Sequence, residues 1–188
     1  MTGFTDSNWA GRVATRKSVG GCIFFGSYTS GNHSSGPILW QVYTQSVVAL
    51  STLEAEYIAC SDATREALWL GQLEASILKA TDIAITPQTI PIGADNQGAL
   101  KLIESGVFKE KTKHIGVKYH HLRDEDQKGT VQFYYVHTTD NIADLLTKAL
   151  SGPCHQHLTS LISLHDNIRA HNNSQSMDKR EEEESVLK

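Results

Sequence analysis

Four carboxylates in this chain stand where a fold has little use for ordinary surface charge. Asp6 lies within "GFTDSNWAG", a stretch with strand character, and strand interiors disfavour aspartate. Glu56 lies near the start of an apolar helix in "ALSTLEAEYIACSDA" (49–63). Asp95 follows the apolar run "IPIGA" and opens the next helix. Asp144 lies in the first turn of "NIADLLTKAL". Each alone has a bland account: an edge or turn position for Asp6, a salt bridge to a distant cation for Glu56, an Asx N-cap for Asp95, and an exposed acid favoured by the helix dipole for Asp144. As a group they suggest chemistry. Hard divalent cations such as Mg²⁺ take oxygen ligands, and crowded acids are tolerable only where a cation neutralises them. Two such ions about 4 Å apart activate a water and stabilise the leaving oxygen of a phosphodiester. Spacing alone leaves open whether the four acids converge.

Helix phase separates Glu56 from its neighbour Glu54. With Leu53 at 0° and about 100° per residue, Tyr57, Cys60, Thr64, Ala67, Leu68 and Leu78 fall within about 60° of it. Ala63 and Leu70 widen that stripe. Glu56 falls at about 300°, inside it, and Glu54 at about 100°, on the polar face with Arg65 and Gln72. Ser51-x-x-Glu54 also reads as a capping box, in which Ser51 caps and Glu54 reaches back to the Ser51 N–H. Such a cap is worth about 1 kcal/mol. The expectation is an exposed, structural Glu54 and an inward Glu56 with no cation near it on its own helix.

The elements that must position these acids follow from pattern. Residues 3–9, 18–26 and 38–44 read as strands, with a Gly/Ser/Asn-rich loop at 27–37. A long helix is expected over 52–79, a strand over 88–94, and a helix from 96 closed by Gly106. A helix over 114–127, a strand over 130–138, a helix begun at Asn141 as cap, and a last helix after Pro153 complete the series. The order βββ-α-β-α-α-β-α describes an α/β sheet flanked by helices. Residues 1–164 form the expected domain. Residues 165–188 are polar and acidic and read as a disordered tail.

Composition excludes several classes. The net charge of −4 is not that of a protein coating nucleic acid, so any such binding must come from a local patch. No apolar run is long enough to span a bilayer, and the start lacks signal-peptide character. The three cysteines, an odd number at unrelated spacings, suggest reduced thiols in an intracellular protein.

The segments "GFTDSNWAG", "RKSVGG", "VALSTLEAEYIA", "ADNQGAL", "KTKHIGVKYHHLRD" and "TTDNIADLLTKAL" occur in this order in a known family. Over about residues 3–164 the chain resembles the ribonuclease H domain of copia-type LTR-retrotransposon Pol polyproteins. The resemblance implies a ribonuclease H-like fold: a five-stranded mixed sheet, three antiparallel strands then two parallel ones, flanked by helices. It implies metal-dependent hydrolysis of the RNA strand of RNA–DNA hybrids during reverse transcription, with two Mg²⁺ or Mn²⁺ ions. It matches Asp6, Glu56, Asp95 and Asp144 to the family's metal-binding acids, and Glu56 rather than Glu54 to its helix glutamate. In the two-metal scheme so implied, Asp6 bridges both ions, Asp144 helps hold the ion that activates water, and Glu56 and Asp95 help hold the other. A reverse transcriptase domain supplied by a longer polyprotein is the implied protein partner. The implied setting is the cytoplasm, within a retrotransposon particle, or the nucleus. With no reverse transcriptase or integrase segment in these residues, the expectation is an isolated fragment or relic. The alternative to the enzyme is a catalytically silent remnant that binds nucleic acid or a protein.

Lys109, Lys111, Lys113 and Lys118, interleaved with aromatic residues and histidines, could form the patch that meets phosphates, with Arg16 and Lys17 as further contacts. The bland reading is a solvated basic segment. His137, at the end of a strand before the Asp144 helix, is a candidate auxiliary group. Other histidines, with Cys154, match no standard zinc spacing.

Overall fold

The computed structural model describes residues 1–26, 36–81, 88–105 and 116–162. Five strands, β1 (Thr2–Arg12), β2 (Lys17–Phe25), β3 (Pro37–Thr44), β4 (Ile90–Ala94) and β5 (Val131–Tyr135), form one sheet in the order β3-β2-β1-β4-β5. β1 pairs antiparallel with β2, and β2 with β3. β4 pairs parallel with β1 and with β5. This is the mixed sheet that the resemblance implies.

Helix α1 (Thr52–Ala80) crosses this sheet and divides the core in two. Its first half, through Ala55, Tyr57, Ile58 and Cys60, packs with Leu100, Ile103 and Leu122 from α2 (Gln97–Ser105) and α3 (Gly116–Gln127). Its middle, through Ala63, Ala67 and Leu70, packs on Cys22, Phe24, Ile90, Ile92 and Val131 of the sheet. Fully buried side chains such as Tyr57, Phe24 and Ile92 each contribute about 1.5–3 kcal/mol of apolar burial. Cys22 and Cys60 are buried free thiols, in keeping with the reduced cysteines expected.

The start of α1 departs from expectation. Ser51 is the N-cap, and its hydroxyl accepts from the Glu54 N–H at 3.2 Å. The Glu54 carboxylate reaches one residue further than a capping box requires, accepting from the Leu50 N–H at 2.9 Å. Glu54 is only 3% exposed, not on a solvent face. Between Glu54 and Thr64 every residue of the helix is buried, because sheet, neighbouring helices and the 45–50 connection surround it. Gln45 Nε2, for example, donates to Ala55 O at 2.8 Å.

The end of the domain also differs. The predicted strand to 138 stops at Tyr135, and Thr138–Asp140 form a 3-10 turn capped by the His137 ring. The predicted helix from Asn141 is a single turn, α4 (Asp144–Thr147), and Asn141 does not cap it. The last helix, α5 (Gly152–Leu161), has Pro153 in its first turn, where the missing N–H costs nothing. Gly106 and the 165–188 tail lie outside the described residues, so neither expectation about them is tested.

Candidate metal centre

Strand register brings the first two acids together. In the parallel β1–β4 ladder Phe4 lies opposite Gly93. Two residues further along both chains, continuing the same alternation, come Asp6 and Asp95. Asp95 comes just past the carboxyl end of β4, where α/β sheets commonly place ligands, and Asp6 lies within the longer neighbouring strand β1 at the same level. Asp95 is free of the capping duty the sequence suggested for it. Asn96 does that work, its Oδ1 accepting from the Ala99 N–H at 2.9 Å.

Helix α1 delivers Glu56 to the same point. One carboxylate oxygen from each of Asp6, Glu56 and Asp95 lies within 4.8 Å of the others. Glu56 is 4% exposed and Asp6 1%. The Ser7 N–H donates to Glu56 Oε1 at 3.3 Å, while Glu56 Oε2 is buried with no hydrogen-bond partner among the described residues. Burial, then the charges of Asp6 and Asp95, push the Glu56 carboxyl up to about 9. A buried carboxylate so placed needs either a proton or a cation. Three convergent carboxylates, one of them with an orphaned oxygen, are the donor set a hard divalent ion takes.

Asp144 joins from the other side. It is buried, contrary to the exposed, dipole-favoured acid of the bland account. Burial, then Asp6, raise its carboxyl to about 6, with Lys148 opposing. The polar face of α4 docks inward because four groups tie it to β1. Asn141 Nδ2 donates to Thr5 O at 3.0 Å, and its Oδ1 accepts from the Ala143 N–H at 3.3 Å. Asn8 Nδ2 donates to Thr147 O at 3.3 Å, and the Thr147 hydroxyl donates to Asp6 Oδ2. Lys148 Nζ then pairs with Asp144 Oδ1 at 2.9 Å and approaches Asp6 Oδ1 at 3.5 Å.

The structure therefore gathers all four predicted acids, three as one ligand-like group and Asp144 through the Thr147–Lys148 bridge to Asp6. Asn8, Asn141, Thr147 and Lys148 escaped the sequence reading. A signal existed for two of them: Asp144, Thr147 and Lys148 stand at i, i+3 and i+4, the spacing that puts side chains on one helix face.

Arg16 and Lys17 lie at the β1–β2 turn. Arg16 has a positive φ of 58° there. From Asp6 to Arg12 the strand runs roughly 20 Å, so this turn is remote from the acids. Lys109, Lys111 and Lys113 lie outside the described residues, as does the side chain of Lys118, whose backbone is in the first turn of α3. The His137 ring is engaged with Thr139, bonding its hydroxyl at 2.9 Å, which gives it a local capping role. His157 pairs with Asp140 at 2.9 Å, and among the described residues no His/Cys cluster has metal-ligating geometry. No described helix is long and apolar enough to cross a membrane.

No family model matches the chain. It is 31% identical over 167 residues to the retrovirus-related Pol polyprotein from transposon TNT 1-94 of Nicotiana tabacum, across 89% of this chain and 12% of that protein. It is 34% identical over 161 residues to the retrovirus-related Pol polyprotein from transposon RE1 of Arabidopsis thaliana, across 86% of this chain and 10% of that protein. The chain thus spans about a tenth of the length of the curated relatives it matches. Among solved structures, LC11-RNase H1 in complex with an RNA/DNA hybrid matches with a TM-score of 0.51. That match has 15% identity and covers 78% of this chain and 92% of that one, a likeness of fold.

Proposed function

This chain belongs to the retrovirus-related Pol polyproteins of transposons, as a segment with the ribonuclease H fold, and from that premise we propose that it hydrolyses the RNA strand of RNA–DNA hybrids. The observation that carries the reading is the convergence of buried Asp6 and Glu56 with half-buried Asp95, and the orphaned Glu56 oxygen among them. Such a group is costly unless a cation neutralises it, and phosphodiester hydrolysis is the chemistry that a carboxylate-held divalent ion serves.

Asp6, Glu56 and Asp95 would hold one Mg²⁺ or Mn²⁺ ion, and Asp6 with Asp144 a second. Ions held there supply a water of lowered pKa and neutralise charge on the leaving oxygen. The chain's own part is to fix the ligands: Ser7 and Asn141 brace β1 and its neighbours, and Thr147 orients the Asp6 carboxylate. Lys109, Lys111, Lys113 and Lys118, with Arg16 and Lys17 further off, would meet hybrid phosphates. Copia-type reverse transcription, beside a reverse transcriptase domain of the same polyprotein, is the setting this reading gives.

End-labelled RNA–DNA hybrid incubated with the purified chain and Mg²⁺ or Mn²⁺ should be cut in its RNA strand, and Asp95→Asn should abolish the cutting. Hybrid bound but left intact would leave the catalytically silent remnant as the better account. Cutting that persists in the variant would remove these acids from the mechanism.

A further inference from the structure

The cation that the structure itself sets among the four acids is the ammonium of Lys148. Its Nζ lies 2.9 Å from Asp144 Oδ1 and 3.5 Å from Asp6 Oδ1. Among the described residues neither Glu56 nor Asp95 has an ion pair, so the positive charge is confined to one side of the centre. The two sides are consequently different. The Glu56 side presents carboxylate oxygens and a buried, unpartnered acceptor. On the Asp144 side, an ammonium already spans the two carboxylates that a second ion would share.

A lysine ammonium suits such a provisional role. It is a compact charge on a four-carbon stem, with three donors and no fixed fork geometry, so it can leave without distorting its partners. The Lys148 side chain is 32% exposed, which gives it a way out to water. The turn that carries it does not depend on it alone, because Asn141, Asn8 and Thr147 bond that turn to β1 separately.

We infer that Lys148 is a built-in counter-ion: it holds Asp6 and Asp144 together before metal loading, and a divalent ion binding between them must displace it. Ions therefore load in order, first at Asp6, Glu56 and Asp95, then at Asp6 and Asp144 against the competing lysine. This rests on the metal reading of the cluster proposed above. Lys148 is a positioning residue here, acting through the ligands.

The test counts bound ions without substrate. Mn²⁺ is titrated into the full 188-residue chain and free Mn²⁺ is followed by its electron paramagnetic resonance signal. The unaltered chain should show a tighter and a weaker class of site. Lys148→Met should tighten the weaker class about tenfold, equivalent to about 1.4 kcal/mol, and leave the tighter class in place. Lys148→Arg, which keeps the charge, should stay near the unaltered chain, and Asp144→Asn should remove the weaker class in either background. In EDTA, Lys148→Met should melt at a lower temperature than the unaltered chain, and Mn²⁺ should close that gap. Should Lys148→Met not fold, Lys148→Gln takes its place in the same titration. Identical isotherms for the unaltered chain and the uncharged variant overturn the inference and leave the metal reading standing. No Mn²⁺ bound by the unaltered chain overturns both.

Discussion

Gly21 stands directly opposite Asp6 in the antiparallel β1–β2 ladder. A Cβ at Gly21 would lie 2.9 Å from Thr147 Cγ2 and 3.0 Å from Leu146 Cβ. The missing side chain is what lets the α4 turn close onto β2 and bring Thr147 and Lys148 to Asp6. Gly21→Ala should therefore cost about 1–3 kcal/mol by overpacking and should weaken Mn²⁺ binding and hybrid cleavage as well. Gly20→Ala is the control. Its Cβ would press first on the Tyr43 ring, 2.7 Å away, rather than on α4. It should lower stability in urea unfolding and spare the ion-binding isotherm. Equal isotherms for both variants would remove Gly21 from the site's construction.

Glu54 and Glu56, two residues apart on α1, should part company in opposite directions. Glu54→Ala removes the acceptor of the Leu50 N–H and should cost about 1 kcal/mol by urea unfolding. The folded variant should still bind Mn²⁺ and cut hybrid. Glu56→Gln removes a carboxyl that must either take up a proton or carry a buried charge beside Asp6 and Asp95, so near neutral pH the metal-free chain should become more stable while Mn²⁺ binding and cleavage are lost. A Glu56→Gln chain less stable in EDTA than the original would mean that Glu56 has a structural partner after all.

Asn141 is predicted to matter only to the Asp144 half of the centre. Its amide satisfies the Thr5 carbonyl and the Ala143 N–H, and is fully buried. Asn141→Ala would leave both backbone groups without that partner, at about 1–3 kcal/mol each. In Mn²⁺ titrations the weaker class of site should disappear and the tighter class, built on α1 and β4, should persist. Loss of both classes together would show that the two halves are not separately supported.

How much of this was legible depends on how local each determinant is. The succession of strands and helices along the chain, the length of α1 and the inward phase of Glu56 follow from composition and periodicity within single segments, and the structure agrees with them, while the pairing of the strands was legible only through the resemblance. The burial of Glu54 did not follow, because a helical wheel assumes one solvent face. The first turns of α1 have none: Trp9 Nε1 donates to Ala49 O at 3.0 Å and Gln45 holds Ala55 O, so the approach to the helix is itself covered. Asp144 misled for a related reason. An acid in a first helical turn is exposed only where that turn is free, but the polar side of a one-turn helix docks when its hydrogen bonds have partners, and these lie on β1. Lys148 was invisible because its second partner, Asp6, is at the other end of the chain.

The last prediction concerns pH and follows from the same crowding of charge. The Glu56 carboxyl is raised from 4.5 to about 9 and that of Asp144 from 3.8 to about 6. The folded chain therefore keeps these protons over a range in which the unfolded chain has released them. Fewer protons on the unfolded state means that stability falls as pH rises. The contribution of Glu56 is fully present below about 4.5 and is lost as pH climbs through about 9; that of Asp144 is lost earlier, through about 6. In EDTA, the melting temperature should fall steadily between about pH 5 and about pH 9. Glu56→Gln should flatten the alkaline part of that fall and keep the part near pH 6. Mg²⁺ or Mn²⁺ should restore stability most at the alkaline end, because an ion there replaces a proton already lost. A metal-free melting temperature that rises with pH across this window would show that Glu56 and Asp144 are not buried beside Asp6.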